Sequence, residues 1–362
     1  MNTARTLVIT NDFPPRIGGI ESFVRSVCDL LDHQVVVLTR QESFDTDWYD
    51  VQLPFPVHRI PGPLLPTPAL ARRAAGLAQR YRTSRVLIGA AAPLGLLASR
   101  LRPYAERIVA LSHGHEVWWA SVPVAAAALR RAVAGLDALG VISSHTSAVI
   151  ARALPAAERC KLTQLPPPVD TTQFRPGQPV TEPVVISAGR MVRQKGFATL
   201  LAAWPTVLAA IPTARLLIVG DGPAAESLRR QATWLTGVRF LGDQPRHRMA
   251  DLYRSAQVFA LPVQSLLGGL YAEGRGLVFA EAAACGLPIV VGDSGGAPET
   301  VLEGLTGTVV PSLDPAQLAG TLLGYLTDPT AARAAGLAGR DHVLATCDAT
   351  LVASRLRDAL GM

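Results

Sequence analysis

Short apolar runs alternate with stretches of helical pattern along the whole chain. The runs in the first half read TLVIT, VVVLT, VHRI, RVLIG, RIVALS and ALGVIS, and those in the second half read VVISAG, RLLIVG, VRFLG, VFALP, PIVVG and TVVP. Runs rich in Val, Ile and Leu and separated by helices are typical of parallel sheets covered on both faces. The pattern therefore predicts an α/β protein with doubly wound sheets.

The alternation is interrupted by a proline-rich stretch at residues 165–183. This stretch contains six prolines, which stiffen an extended connection. Because a single core rarely grows beyond about 250 to 300 residues, a chain of 362 residues is expected to form two domains. We predict Rossmann-like domains at 1–168 and 169–348, with a final helix at about 349–362 packing back on the first. Ligands of such sheets bind at the carboxyl ends of the strands, so the two domains are expected to face an inter-domain cleft.

The formal charge of +6 is unevenly distributed along the chain. Residues 1–168 contain 18 Lys and Arg against 12 Asp and Glu, whereas the remainder contains 16 of each. No zinc-finger spacing, RNA-recognition signature or block of basic residues accompanies the surplus, which argues against a nucleic-acid partner. An anionic membrane surface or an acidic substrate is the favoured partner of the first half, and an ordinary solvated surface is an alternative of equal weight.

The composition favours a cytosolic protein with reduced cysteines. No apolar run reaches the roughly 18 residues that a membrane-spanning helix needs, and the first ten residues lack the pattern of a signal peptide. The four cysteines are far apart and form no C-x-x-C pair, so we expect them to be reduced residues in or near the core. They are Cys28, Cys160, Cys285 and Cys347.

The stretch ITNDFPPRIGGIESF, residues 9–23, leads from a strand through two prolines and two glycines directly into a helical pattern. Prolines forbid ladder hydrogen bonds, and glycines tolerate backbone angles that other residues avoid. The chain is therefore expected to turn sharply at Gly18 and Gly19, where a ligand can approach the backbone closely.

A second stretch, EGRGLVFAEAAACGLPIVVGDSGGAPE, contains two glutamates eight residues apart, Glu273 and Glu281. Glycines follow the first glutamate, and a helical run from Leu277 carries the second. Free amides at the start of a helix bind phosphate oxygens, so Gly276 and Leu277 are candidate diphosphate contacts. Glu281, about one turn further on, is a candidate acceptor for ribose hydroxyls. The alternative is a helix with acidic residues on its solvent-exposed face.

Two cations follow a predicted strand in ISAGRMVRQKG. Arg190 offers a fixed fork of donors and Lys195 a mobile point charge, which together suit a diphosphate leaving group. A solvated loop is the alternative.

In ALSHGHEVWW, His113 comes directly after another strand, where a histidine can contact a sugar hydroxyl or a reacting centre. We favour His113 over His115, and the H-E-x-x-H spacing of a zinc site is absent.

Three further stretches are read as structural. The D-x-D of Asp45 and Asp47 lies in a polar connection rather than at a strand end, and we predict a loop there. The segment VGDGP, residues 219–223, lacks the third glycine of a dinucleotide fingerprint and is read as the end of a strand. The Ala- and Arg-rich segment 68–85 is either a membrane-surface helix or, as we favour, an ordinary covering helix.

Six of the stretches together resemble a known family. NDFPPRIGGIESF, GAAAPLGLLA, SHGHEVWW, LPPPVDTTQF, GRMVRQKG and EGRGLVFAEAAACGLPIVVGDSGGAPETV resemble the retaining GT-B glycosyltransferases of family 4. They are most similar to the GDP-mannose-dependent mannosyltransferases that extend phosphatidylinositol mannosides, and the resemblance spans nearly the whole chain.

The resemblance implies a role for each candidate. Gly18 and Gly19 would lie against the donor diphosphate and sugar, Arg190 and Lys195 would hold the diphosphate, and Glu273 and His113 would lie beside the sugar. Ribose would bind Glu281, and the base would lie near Gly242, Asp243 and Gln244. The resemblance also implies retention of configuration by front-face attack, with no metal and no other cofactor.

The expected function is therefore transfer of α-mannose from GDP-mannose to a lipid-linked or polyol acceptor at the cytosolic membrane face. Leu266, Leu267, Tyr271, Arg275 and Trp118 depart from the residues common in this group. A related transferase with another nucleotide sugar or a soluble acceptor is the first alternative. A nucleotide-sugar binder without turnover and a sugar-phosphate epimerase are more distant ones.

Overall fold

The computed structural model describes residues 5–178 and 180–362. The chain divides into two compact units. The N-terminal unit runs to Pro168 and also includes Ala349–Met362, and the C-terminal unit is Val169–Asp348. Each unit contains a parallel sheet flanked by helices, so the prediction of two doubly wound domains is confirmed.

The N-terminal unit contains a seven-stranded parallel sheet in the order β3-β2-β1-β4-β5-β6-β7. Its strands are β1 (Thr6–Ile9), β2 (Val35–Arg40), β3 (Val57–Ile60), β4 (Arg85–Ile88), β5 (Arg107–Ser112), β6 (Ala138–Val141) and β7 (Leu162–Gln164). Its first helices are α1 (Gly19–Leu30), α2 (Asp47–Asp50), α3 (Pro68–Tyr81), α4 (Ala98–Leu101), α5 (Glu116–Ser121), α6 (Pro123–Ala134) and α7 (Ser144–Ala153). Leu7 and Ile9 pack in one buried cluster and Val8 in another, because successive side chains of a strand point to opposite faces. Both faces of the sheet are therefore covered.

The C-terminal unit contains a six-stranded parallel sheet in the order β10-β9-β8-β11-β12-β13. Its strands are β8 (Val184–Ala188), β9 (Arg215–Val219), β10 (Val238–Gly242), β11 (Val258–Leu261), β12 (Ile289–Gly292) and β13 (Gly307–Val310). Its helices are α8 (Phe197–Ala210), α9 (Ala225–Gln231), α10 (Arg246–Arg254), α11 (Leu277–Ala284), α12 (Pro315–Thr327) and α13 (Pro329–Thr346). The apolar runs of the sequence correspond to these strands. The loops that follow β8, β10 and β11 carry most of the candidate residues.

The last helix, α14 (Ala349–Leu360), belongs to the N-terminal unit. Leu356 and Leu360 are buried among the core residues of that unit. Arg85 Nε donates a hydrogen bond to the carbonyl of Leu360 at 3.0 Å, and Arg107 Nε donates to the carbonyl of Ala359 at 2.9 Å. Arg85 therefore holds the carboxyl end of α14, and it does not belong to an exposed basic surface of α3.

The structure corrects one expectation about the cysteines. Cys28, Cys285 and Cys347 are buried and free, as expected, but Cys160 is exposed. Cys160 lies in the 3-10 turn Ala156–Lys161, which precedes the edge strand β7 and lies outside the core of the sheet. Among the helices that the structure describes, none combines the length and apolar character needed to cross a membrane.

Candidate functional site

Lys195 and Glu273 form the centre of the candidate site in the C-terminal unit. Lys195 Nζ donates a hydrogen bond to Glu273 Oε2 at 2.6 Å, and both side chains are partly buried. Lys195 ends a 3-10 turn in the β8–α8 loop, and Glu273 lies in the β11–α11 loop. The fold thus brings together two candidates that are 78 residues apart in the sequence.

The Lys195 loop is fastened to the loop after β11 by backbone contacts. The side-chain amide of Gln264 donates to the carbonyl of Arg193 at 2.6 Å, and its backbone N–H donates to the carbonyl of Gln194 at 2.8 Å. Gly196 has φ +69°, and a Cβ there would lie 1.9 Å from the carbonyl oxygen of Pro262. Only glycine allows this approach. Sequence reasoning did not identify Gln264, although its place just after a buried strand was a signal.

The Glu273 backbone is held by the loop that follows β12. Glu273 N–H donates to Ser294 Oγ at 3.2 Å, and Gly296 N–H donates to the Glu273 carbonyl at 2.9 Å. Gly295 has φ +58°, and a Cβ there would lie 2.2 Å from that carbonyl oxygen. Gly295 of SGGAPE is therefore required for the position of Glu273.

Gly276 and Leu277 lie at the start of α11. Gly276 is the N-cap residue, with φ +80° and no side-chain capping bond, and a Cβ there would lie 2.5 Å from the Phe279 ring. The first amides of a helix have no intrahelical acceptor and carry partial positive charge. The start of α11 can therefore bind an anion.

Arg190 is exposed in the β8–α8 loop. Its side chain makes no hydrogen bond or ion pair with any residue that the structure describes. The backbone beside it packs against the segment VGDGP, since a Cβ on Gly220 would lie 2.2 Å from the carbonyl oxygen of Gly189. Met191 N–H also donates to the Asp221 carbonyl at 2.8 Å. Gly220 therefore ends β9 and also allows the Arg190 loop to pack closely against it.

Glu281 is buried inside the unit, with 3% of its surface exposed. Its Oε1 lies 2.8 Å from Arg246 Nη1, and its Oε2 accepts a hydrogen bond from the Tyr253 hydroxyl at 3.4 Å. Burial raises the pKa of the Glu281 carboxyl, and the charge of Arg246 and the Tyr253 hydrogen bond oppose that rise. Arg246 was not identified from the sequence, because it was one of many arginines and no spacing linked it to Glu281.

The three residues expected near the base, Gly242, Asp243 and Gln244, lie at the carboxyl end of β10. Gly242 has φ +66°, and the Gln244 side chain donates to the carbonyl of Leu241 at 2.7 Å. Asp243 is exposed. This loop leads directly into α10, which carries Arg246.

The remaining candidates lie in the N-terminal unit, after the carboxyl ends of β1 and β5. Gly18 is the N-cap of α1, and a Cβ there would lie 2.1 Å from Glu21 Oε2. Glu21 in turn is paired with Arg16 Nε at 2.5 Å. An added Cβ on Gly19 would have no atom within 4 Å. The tight turn thus accommodates the Glu21 carboxylate at Gly18, and Gly19 borders open space.

His113 is held by its ring nitrogen and by an aromatic neighbour. Its Nε2 lies 2.5 Å from the Gly89 carbonyl oxygen, and the Phe23 ring meets it edge-on at 5.3 Å between ring centroids. Burial lowers the pKa of His113, so the ring is neutral at pH 7. Because a carbonyl accepts hydrogen bonds only, Nε2 carries the proton and Nδ1 is an acceptor.

Glu116 supports this histidine loop, a role that could not be assigned from its place in ALSHGHEVWW. It is fully buried, and its Oε2 accepts hydrogen bonds from Ser112 Oγ at 2.8 Å and from His113 N–H at 3.1 Å. Its Oε1 lies 3.1 Å from His115 Nε2. His115 itself is exposed and pairs with this carboxylate.

The two aspartates of the D-x-D segment make a hydrogen bond within their own segment. Asp45 Oδ1 accepts a hydrogen bond from Asp47 N–H at 2.9 Å, and Asp47 begins α2, where a loop had been predicted. Within residues 5–178 and 180–362, no three His, Cys, Asp or Glu side chains are grouped so as to hold a metal ion.

The two-sheet architecture is shared with known glycosyltransferases. The Anabaena protein HepE, solved with UDP and glucose, superposes with a TM-score of 0.80 and 17% identity, and 99% of each chain is covered. Sucrose-phosphate synthase from Thermosynechococcus elongatus gives a TM-score of 0.79 at 23% identity over 98% of each chain. The fold is therefore that of the GT-B glycosyltransferases.

The sequence comparisons define the family within that class. Residues 169–342 match the model of the glycosyl transferases group 1. A GDP-mannose-dependent monoacylated α-(1-6)-phosphatidylinositol monomannoside mannosyltransferase of Corynebacterium glutamicum is 38% identical, covering 98% of this chain and 97% of the relative. A GDP-mannose-dependent α-(1-6)-phosphatidylinositol monomannoside mannosyltransferase of Mycolicibacterium smegmatis is 39% identical over 93% of each. The chain belongs to this family of group 1 glycosyltransferases.

Proposed function

We propose that the chain is a retaining glycosyltransferase that moves α-mannose from GDP-mannose to a lipid-linked acceptor of the phosphatidylinositol mannoside type. Two relatives whose names carry this donor and acceptor are 38% and 39% identical over nearly the full chain, which supports the proposal. The observation that carries it at the level of residues is the 2.6 Å contact between Lys195 and Glu273, which is held in place by the close backbone approaches at Gly196 and Gly295.

The C-terminal unit stabilises the leaving group. Cleavage of the glycosidic bond leaves negative charge on the nucleoside diphosphate, which Arg190 and Lys195 stabilise. The free amides at Gly276 and Leu277 add to this effect. Glu273 lies beside the sugar, Glu281 accepts hydrogen bonds from ribose, and the loop 242–244 lies near the base.

The N-terminal unit contributes Gly18, Gly19 and His113, which contact the donor diphosphate and sugar. The open space beside Gly19 and the acceptor Nδ1 of His113 support these roles. The acceptor oxygen bonds to the anomeric carbon on the face from which the diphosphate departs, and the acceptor hydroxyl proton passes to the departing diphosphate oxygen. The configuration is thereby retained without an enzymatic nucleophile, a metal or another cofactor.

A family 4 transferase with another nucleotide sugar or a soluble acceptor is the second candidate. One observation favours it: Leu267 and Tyr271, in the turn just before Glu273, are 70% and 50% exposed, and the group tends to have basic or polar residues there. A binder without turnover is a more distant alternative, because Arg190, Lys195 and Glu273 are all present. An epimerase is equally distant, because the stretches HGHE and NDFPPRIGGI match the transferases closely.

GDP-mannose is expected to stabilise the protein against heat more than UDP-glucose does. A ligand that binds only the native state stabilises it by about 2.7 kcal/mol at a hundredfold excess over Kd. Thermal melts with each nucleotide sugar measure the difference, with GDP and UDP alone as controls for the nucleotide. An equal or larger shift with UDP-glucose would reject the proposed donor.

We propose that the protein docks on the cytoplasmic face of an anionic membrane through the exposed face of α3. Arg72, Arg73, Arg80 and Arg82 are exposed on this helix and its last turn, and the surplus of positive charge lies in the same half of the chain. Each such arginine contributes on the order of 1 kcal/mol near an anionic surface, and salt screens the contribution.

Replacing these four arginines by glutamine is expected to abolish most co-sedimentation with anionic vesicles at low salt. The control replaces three arginines of the C-terminal unit that are also exposed but pair with acidic neighbours, Arg215, Arg229 and Arg230. Stabilisation by GDP-mannose should be unchanged in both variants. Equal sedimentation of the parent and the α3 variant would contradict docking through α3 and favour a soluble acceptor.

A further inference from the structure

The two carboxylate oxygens of Glu281 differ in their hydrogen bonding. Oε2 accepts the Tyr253 hydroxyl. Oε1 lies 2.8 Å from Arg246 Nη1 but receives no directed hydrogen bond from any described residue, although it is buried. A buried carboxylate oxygen normally has a hydrogen-bond donor. Oε1 is thus charge-compensated by Arg246 and keeps unused capacity to accept a hydrogen bond.

Arg246 is well placed to fix this carboxylate. It is the first residue of α10, directly after the 242–244 loop. Its guanidinium carbon lies 5.4 Å from the centroid of the Phe174 ring, a distance at which a cation is attracted to an aromatic face. The guanidinium is therefore restrained by Phe174 and by Glu281, and 38% of the side chain is exposed.

We propose that Arg246 is the positioning residue for Glu281, holding the carboxylate so that Oε1 accepts a hydroxyl of the ribose of a nucleoside diphosphate. This inference rests on the ribose-binding role proposed above for Glu281. Arg246 would then affect ribose binding by positioning Glu281, without contacting the nucleotide itself.

The other groups that face Glu281 are uncharged near pH 7. Burial raises the pKa of Tyr253 well above its usual value and that of Cys285 to about 12. Arg246 is the cation identified beside the carboxyl, and it opposes the rise that burial causes in the Glu281 pKa. Removing Arg246 should therefore raise that pKa further. A neutral carboxyl loses acceptor capacity, so ribose recognition should weaken as the pH falls through the raised pKa.

The test compares the binding of GDP and 2′,3′-dideoxy-GDP by calorimetry at pH 6.0 and pH 8.5, with UDP and its dideoxy form in parallel. The parent should prefer the ribose form at least about tenfold, the equivalent of one good hydrogen bond to a charged group. Arg246→Met should lose most of this preference at pH 6.0 and regain part of it at pH 8.5. Arg246→Lys, which keeps the charge, should retain more of it. Glu281→Gln should lose the preference at both pH values.

Arg248→Met is the matched control, because Arg248 is exposed on the same helix and should leave the preference unchanged. A merely structural role of Arg246 would weaken ribose and dideoxyribose forms equally, and an unchanged ratio in Arg246→Met would overturn the inference. If Arg246→Met does not fold, the ratio of the affinities for GDP and 2′,3′-dideoxy-GDP is measured in Arg246→Gln instead, and an unchanged ratio there would overturn the inference. Failure of the parent to bind either nucleotide, or to prefer ribose, would instead contradict the proposed nucleotide site.

Discussion

Replacement of Lys195 by alanine is expected to lower the turnover of sugar transfer by about two orders of magnitude or more, with the fold intact. The ammonium group stabilises charge that develops on the departing diphosphate, and removal of one such donor typically costs about 100- to 1,000-fold in kcat. Arg190→Ala should have a similar effect for the same reason. Steady-state kinetics with purified variants of matched thermal stability measure both.

Arg193→Ala is the control for these two variants. Arg193 is exposed and lies between them in the same loop, so its replacement removes one positive charge without removing a proposed diphosphate contact. Near-normal turnover in both Lys195→Ala and Arg190→Ala would exclude them from the site. A turnover of Arg193→Ala as low as theirs would mean that the total charge of the loop matters, not these positions.

Gly295→Ala is expected to lower kcat about a hundredfold, although residue 295 is not proposed to contact the substrate. The new methyl group would lie 2.2 Å from the Glu273 carbonyl oxygen, and the residue has φ +58°. The Gly295 loop and the Glu273 backbone must therefore move apart, and a displacement of about 1 Å at a reacting centre can cost about 100-fold in rate. Kinetics and a thermal melt of the same preparation separate the lost rate from lost stability.

Gly304→Ala separates the clash from the backbone strain. Gly304 has φ +72°, close to that of Gly295, but an added Cβ meets no atom within 4 Å. We expect it to destabilise the fold by about 1 kcal/mol and to leave kcat near that of the parent. Equal losses of kcat in the two variants would show that SGGAPE contributes general stability instead of the position of Glu273.

The strands and the α11 start were predictable from the sequence because their signals are local. Apolar runs identify buried parallel strands, and Glu273, the glycines and Leu277 follow one another within a few residues. β7 was not predicted, since a three-residue strand at the sheet edge, Leu162–Gln164, has too little apolar pattern to stand out.

The supporting contacts were not predictable, because they join residues far apart in the chain. Gln264 fixes the Lys195 loop from the loop after β11, and Arg246 reaches Glu281 from the preceding helix. Arg85 looked like part of a basic helix, but tertiary packing assigns it to the carboxyl end of α14.

Transfer of radiolabelled sugar into lipid tests the central proposal most directly. The protein is incubated with vesicles that contain phosphatidylinositol monomannoside and with either labelled GDP-mannose or labelled UDP-glucose, and the lipid product is digested with α- and β-specific mannosidases. We expect label in the lipid from GDP-mannose alone, released by the α-mannosidase, and at most about 1% of that amount with Lys195→Ala. Label from UDP-glucose but not from GDP-mannose, or a product released only by the β-mannosidase, would contradict the proposed function.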